Sequence, residues 1–433
     1  MQNNNHNQRK SIIVHSNLLG NEAHREFIEL QDGYAFKKRG GSLPIGLTEK
    51  HTTRLVSDLN LLSKLEAHEL IFSHQFLNHA YKMEPQIFSY QKYFALENGQ
   101  SLPELEIAYH TYGTLNEDGS NVIWVCHALT ANSNVFDWWK GLFGEHDLYN
   151  PTDYFIVCAN NPGSCYGSTG PLSNNPNLKQ PWFNYFPQLS IKDIVSAFEL
   201  LRAHLGIRKF HTLIGGSQGG QIALEWAVTK KDVTDNLVLI ATNARHSPWG
   251  IAFNESQRLA IKADRTYYSN LPDAASKGLA AARSIALLSY RGYETYNETQ
   301  RDLDHKKTGD FAASTYQRYQ GTKLVNRFNA YSYVRLLDAM DSHNVARNRT
   351  ETTEEALSLV EAKTLIISVK TDLLFPPVEQ KFLARYIPGS VYAEIDSKYG
   401  HDGFLIETEK LSEVISGFFA AEKSKRITST NRI

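Results

Sequence analysis

Apolar residues along most of this chain come in short, nearly unbroken runs, and the runs alternate with stretches whose apolar positions recur at helical spacing. Such runs occupy 122–126 (VIWVC), 154–158 (YFIVC), 211–214 (HTLI), 237–241 (LVLIA) and 364–369 (TLIISV). They predict strands buried on both faces, as in a parallel sheet covered by helices. Residues 105–112 instead alternate and predict an antiparallel strand. From Ile87 the chain reads as paired strands with a turn at Glu97-Asn98-Gly99. Ile191, Ile194, Val195, Phe198 and Leu201 share one helical face behind Ser190 and Asp193, which form a capping box with Asp in the Glu position. A further strand is expected at 390–395 and a last helix at 405–419. This alternation predicts an α/β fold with a mostly parallel central sheet and helices on both faces.

Two stretches break the alternation. Residues 1–82 are polar, rich in Asn and His, and poorly patterned apart from a short helix expected at 61–70. They are expected to be an N-terminal extension outside the native enzyme, with Met83 at the boundary. From 247 to 350 no buried strand is expected. Helical patterns such as Leu324, Phe328, Tyr331 and Leu337 predict a helical lid over the carboxyl edge of the sheet. The core is then 83–246 and 351–421, and 422–433 forms a polar tail expected to be mobile.

The sharpest local signal is Gly215-Gly216-Ser217-Gln218-Gly219, between the run at 211–214 and a helix-forming run at 221–227. A serine on so tight a strand-to-helix turn needs small neighbours, and the turn holds its hydroxyl clear of the chain. A phosphate-binding loop would want Gly-Lys-Ser/Thr, which is absent. A serine nucleophile needs a base and an orienting carboxylate, in the order Ser, Asp or Glu, His for this architecture. Asp372 follows the strand at 364–369, and His401 follows the strand at 390–395, between glycines. Both loops fall at the carboxyl ends of strands, as the serine does. For the oxyanion, the N–H of Gln218 and that of Leu129, in the loop after 122–126, are the expected donors. His127 precedes the serine and is read as structural.

Composition narrows the partners. The 433 residues carry a net charge of −1, which gives no reason to expect nucleic acid or an anionic membrane as a partner. No apolar run is long enough to span a membrane. Three cysteines cannot form a fully paired framework and lack zinc-site spacing, which fits a reducing cytoplasm and gives no reason to expect a metal. No bound cofactor is expected.

With these pieces placed, the chain resembles the homoserine O-acetyltransferases of the α/β-hydrolase superfamily from about 86 to 420. The segments that carry the resemblance are CHALTANSNVFDWW at 126–139, NNPGSCYGSTGP at 160–171, GGSQGGQIALEW at 215–226, SPWGIAFNESQRLAI at 247–261, RYQGTKLVNRFNAYSYVRLLDAMD at 318–341, TDLLFPP at 371–377 and YGHDGFLIE at 399–407. The resemblance implies Ser217 as nucleophile, Asp372 as orienter and His401 as base. It implies Arg283 on the acceptor's carboxylate, Tyr290 beside it and Asp402 on the acceptor's ammonium. It further implies acetyl-CoA as co-substrate, L-homoserine as acceptor, a place in methionine biosynthesis, and a homodimer through the lid helices. The chain departs from the family pattern at Ser284 (usually Met), at Ser289 and Gly292 (usually Thr and Ser), and at Gly403 (often Ala). Relatives of similar sequence use succinyl-CoA or accept serine. The alternatives are therefore a homoserine O-succinyltransferase, a serine O-acetyltransferase, an esterase of the same fold, or a non-catalytic binding protein.

Overall fold

The computed structural model describes residues 84–430, with side chains through 421, and the backbone of three strands nearer the N-terminus. The chain divides into two compact units, Met1–Met83 and Glu84–Ile433. In the first, Arg25–Leu30 pairs antiparallel with Gly33–Lys38 on one side and with Ile12–Ile13 on the other. These strands were not anticipated, because none contains an apolar run long enough to stand out. The helix expected at 61–70 lies outside the described residues.

The second unit is built on an eight-stranded sheet. Its strands are β1 (Gln86–Tyr90), β2 (Leu105–Tyr112), β3 (Val122–Cys126), β4 (Phe155–Ala159), β5 (Phe210–Gly216), β6 (Thr234–Ile240), β7 (Lys363–Val369) and β8 (Val391–Ile395). Their order across the sheet is β8-β7-β6-β5-β3-β4-β2-β1. Neighbours run parallel except at β2, which is antiparallel to both β1 and β4. Every residue of β3 is buried, which is why its run lacks polar alternation.

Helix α1 (Ile191–His204) starts at the expected capping box. Ser190 Oγ accepts from the Asp193 N–H at 3.1 Å, and Asp193 Oδ2 accepts from the Ser190 N–H at 2.8 Å. Helix α2 (Gln218–Thr229) leaves β5 and contributes Trp226, whose ring meets Trp124 of β3 edge-on at 5.0 Å. These rings, with Phe198 and Phe210, form the centre of the sheet's core.

Between β6 and β7 the chain forms α3 (Pro248–Ala263), α4 (Ser276–Tyr290), α5 (Tyr293–Thr299), α6 (Ala312–Val325) and α7 (Ala330–Asp341). Among the described residues this insertion contains no strand. Its core gathers Leu279, Leu324, Phe328, Tyr331 and Leu337, and takes in Leu129 and Phe375 from loops that follow β3 and β7. Helix α8 (Pro377–Tyr386) and then α9 (Thr408–Thr430) complete the chain. The last helix was expected as one piece at 405–419 with a tail from 422. Instead a short helix, Gly403–Ile406, precedes α9, and α9 runs past 422.

Strand order reverses between β3 and β5, since β4 lies beyond β3 and β6 beyond β5. At such a point the connections leave in opposite directions and open a crevice outside the carboxyl ends of the strands. The loop after β3 and the turn after β5 both border that crevice.

Candidate active site

Ser217 sits between the last residue of β5 and the first of α2, with φ 57° and ψ −127°. A non-glycine residue rarely adopts this conformation, and such strain persists only where the surroundings enforce it. Here the Ser217 N–H donates to the Ile240 carbonyl at 3.0 Å, and Thr242 Oγ1 donates to the Ser217 carbonyl at 2.9 Å. The flanking glycines are required by contact. A Cβ on Gly215 would stand 2.2 Å from the Gly219 carbonyl oxygen, and one on Gly219 would stand 2.0 Å from that of Cys126.

The structure brings Ser217, Asp372 and His401 into one hydrogen-bonded chain. His401 Nδ1 lies 2.7 Å from Asp372 Oδ2, and His401 Nε2 lies 2.9 Å from Ser217 Oγ. An ionised carboxylate only accepts, so Nδ1 carries the proton and Nε2 is left to accept from the hydroxyl. The other oxygen, Asp372 Oδ1, accepts the N–H groups of Leu374 and Phe375 at 2.8 and 2.9 Å. The carboxylate is therefore aimed from both sides. All three residues are buried. Phe375 stacks on the imidazole at 5.2 Å between ring centres, and Phe404 leans on it at the same distance. Burial by itself opposes a charge on His401, but the Asp372 carboxylate, by charge and by hydrogen bond, and the charge of Asp402 outweigh it. The ring pKa is therefore raised.

His127 is occupied elsewhere. Its Nε2 accepts from the Asn161 N–H at 3.0 Å and its Nδ1 donates to the Ala128 carbonyl at 2.9 Å, while burial lowers its pKa to about 4. It is a neutral brace for the loop after β3. Leu129 lies on that loop, buried against the insertion. Gln218 opens α2, where its N–H has no intrahelical acceptor. Its side chain donates to the Leu336 carbonyl of α7 at 3.0 Å.

At the other end of the site Tyr290 closes α4, its ring centre 5.8 Å from that of His401. The Arg283 guanidinium stands 5.4 Å over the Tyr290 ring. Asp402 follows His401 and contacts Arg291, with Nε 3.0 Å from Oδ2. Neither Arg291 nor Arg327 is singled out as a site residue by the sequence. Arg327 Nη1 donates to the Thr130 carbonyl at 2.6 Å, tying the insertion to the loop after β3. No spacing in the chain points to either contact, because each partner lies on a distant element.

Residues 121–408 match the α/β hydrolase fold family. The chain is 48% identical over 338 residues to a homoserine O-acetyltransferase of Cyclobacterium marinum, covering 78% of this chain and 96% of the relative. It is 45% identical over 328 residues to a homoserine O-acetyltransferase of Chlorobaculum parvum, covering 75% and 92%. Among solved structures it is similar to homoserine O-acetyltransferase from Staphylococcus aureus, with a TM-score of 0.65 and 27% identity over 78% of this chain and 94% of the other.

Proposed function

Because the chain belongs to the α/β-hydrolase family and, within it, to the homoserine O-acetyltransferases, we propose that Ser217 carries an acetyl group from acetyl-CoA to the hydroxyl of L-homoserine. The observation that supports this most directly is the unbroken chain from Ser217 Oγ through His401 to Asp372. The enzyme is an acyltransferase, and the reaction is the one that commits homoserine to methionine biosynthesis.

His401 Nε2 takes the Ser217 proton as Oγ attacks the thioester carbonyl. The oxyanion that forms is held by the N–H groups of Leu129 and Gln218, each worth roughly 3–4 kcal/mol. The carbon–sulfur bond breaks, His401 returns the proton to the sulfur, and free CoA leaves an acetyl-Ser217. The homoserine hydroxyl then gives its proton to the same nitrogen, attacks the ester, and frees the serine. Arg283 holds the acceptor's carboxylate, a pairing a planar guanidinium suits, beside Tyr290. Asp402 holds its ammonium. The helical insertion keeps water from the ester, which would otherwise be hydrolysed. No resident cofactor takes part. A cytoplasmic homodimer joined through the insertion belongs to the same reading. Its motivation is the exposure of Trp249, Leu259 and Leu288 on α3 and α4.

The test is release of free thiol from acetyl-CoA, with and without homoserine. Ser217→Ala is expected to lower turnover at least about a thousand-fold. Near-normal turnover in that variant would overturn the assignment. Steady thiol release that ignores homoserine would instead identify an esterase, and a preference for succinyl-CoA or serine would move the enzyme to those alternatives.

A further inference from the structure

Asp402, assigned above to the acceptor's ammonium, already has a cationic neighbour in the protein. Arg291 Nε stands 3.0 Å from Asp402 Oδ2, and both side chains are largely buried, at 23% and 14% exposed. The contact is a charge pair without a closed hydrogen bond, since the buried Arg291 Nε–H has no hydrogen-bond partner. Asp402 heads the short helix Gly403–Ile406, yet its side chain does not cap it. The carboxylate is therefore not spent on the backbone, and it can turn toward a third group without breaking a hydrogen bond.

The backbone holds this pair in place. The end of α4 lies against the loop that leads into His401 so closely that a Cβ on Gly292 would stand 2.0 Å from the Lys398 carbonyl oxygen. Gly400 has φ +65°, and a Cβ there would meet Arg291 C and Gly292 N at 2.8 Å. Thr295 Oγ1 donates to the same Lys398 carbonyl at 2.7 Å. Arg291 and Asp402 thus ride on two segments in direct backbone contact.

Other charges act on the same carboxylate. Burial pushes Asp402 above the usual carboxylate range, Arg291, His401 and Arg283 pull it down, and Asp372 pushes it up. Without a cation of its own, Asp402 would draw on Arg283 and would take up a proton more readily. Either change spoils a clamp that needs one free cation and one free anion.

We propose that Arg291 is a positioning residue for the acyl acceptor: it engages one oxygen of Asp402, leaves the other free to face the acceptor's ammonium, and spares Arg283 for the acceptor's carboxylate. This rests on the acyl-transfer reading and adds how the site tells an amino acid bearing a hydroxyl from a hydroxy acid without the amine.

The experiment mixes acetyl-CoA with the unchanged enzyme and with Arg291→Ala, Arg291→Gln and Arg291→Lys. It reads the burst of thiol from acylation, then steady transfer to homoserine or to 4-hydroxybutanoate, which lacks the ammonium. Arg291→Ala is expected to keep the burst within about twofold, raise the homoserine KM roughly 30-fold, and narrow the preference over 4-hydroxybutanoate by a similar factor. Arg291→Lys restores part of both. Arg291→Gln, closer in size, carries the same expectations as the alanine variant if that one melts early. An unchanged homoserine KM and preference in the neutral variants overturns the proposal, as does a lost burst, which would place Arg291 in acylation. No burst from the unchanged enzyme would sink the acyl-enzyme reading itself.

Discussion

In the proposed reaction, a buried carboxylate against a buried imidazole governs the proton traffic. Asp372, by charge and by hydrogen bond, together with the charge of Asp402 stabilises the charged ring more than burial opposes it, so His401 holds its proton to a higher pH than a free imidazole. Only the neutral ring can accept from Ser217. The rate constant kcat/KM for acetyl-CoA is therefore expected to fall as pH drops through an apparent pKa above about 6.5. Asp372→Asn removes the charge that raises it. That variant should move the midpoint down and lower kcat by roughly 10⁴-fold. A pH profile whose acid limb is centred below that of free imidazole, and does not move in the variant, would contradict this account. These three side chains were legible in the sequence because each follows an apolar run directly, at a spacing a strand and its loop dictate. Arg291 was not, because its meaning depends on a carboxylate 111 positions away, the difference between 402 and 291.

At the scale of elements, the junction between α4 and the His401 loop is, among the described residues, the tightest demand outside the elbow. Gly292 permits it, and the resemblance marks this position as one where serine is usual. Gly292→Ser would force a side chain against the Lys398 carbonyl. It is expected to cost about 1–3 kcal/mol of stability, as overpacking generally does. The shift should also weaken acceptor binding more than acylation. Urea denaturation together with acceptor KM checks both, and a variant as stable as the parent with an unchanged KM would show that the junction has slack. The strands of the sheet were readable from their runs, and α1 from its capping box. The break between Gly403–Ile406 and α9 was not, since the apolar pattern at 405–419 crosses it.

At the scale of the whole molecule, the compact unit Glu84–Ile433 contains every residue assigned to the reaction. The Cyclobacterium marinum relative is matched over 96% of its own length by 338 residues of this chain. A protein of residues 83–433 is therefore expected to keep kcat and KM within about twofold, and to sediment as a dimer through the exposed apolar residues of α3 and α4. Loss of activity on removing 1–82, or a mass of one chain, would refute the respective part. The amino-acid order alone determined the succession of the central sheet's strands, the start of α1, the tight serine turn and the loops that bear its partners. Those follow from side-chain periodicity and backbone sterics over a few residues. Tertiary structure alone decided which groups touch. Ser217 meets His401 across 184 positions, and Arg291 meets Asp402. Such contacts depend on how separately formed elements pack, and no local preference of the chain carries that distance.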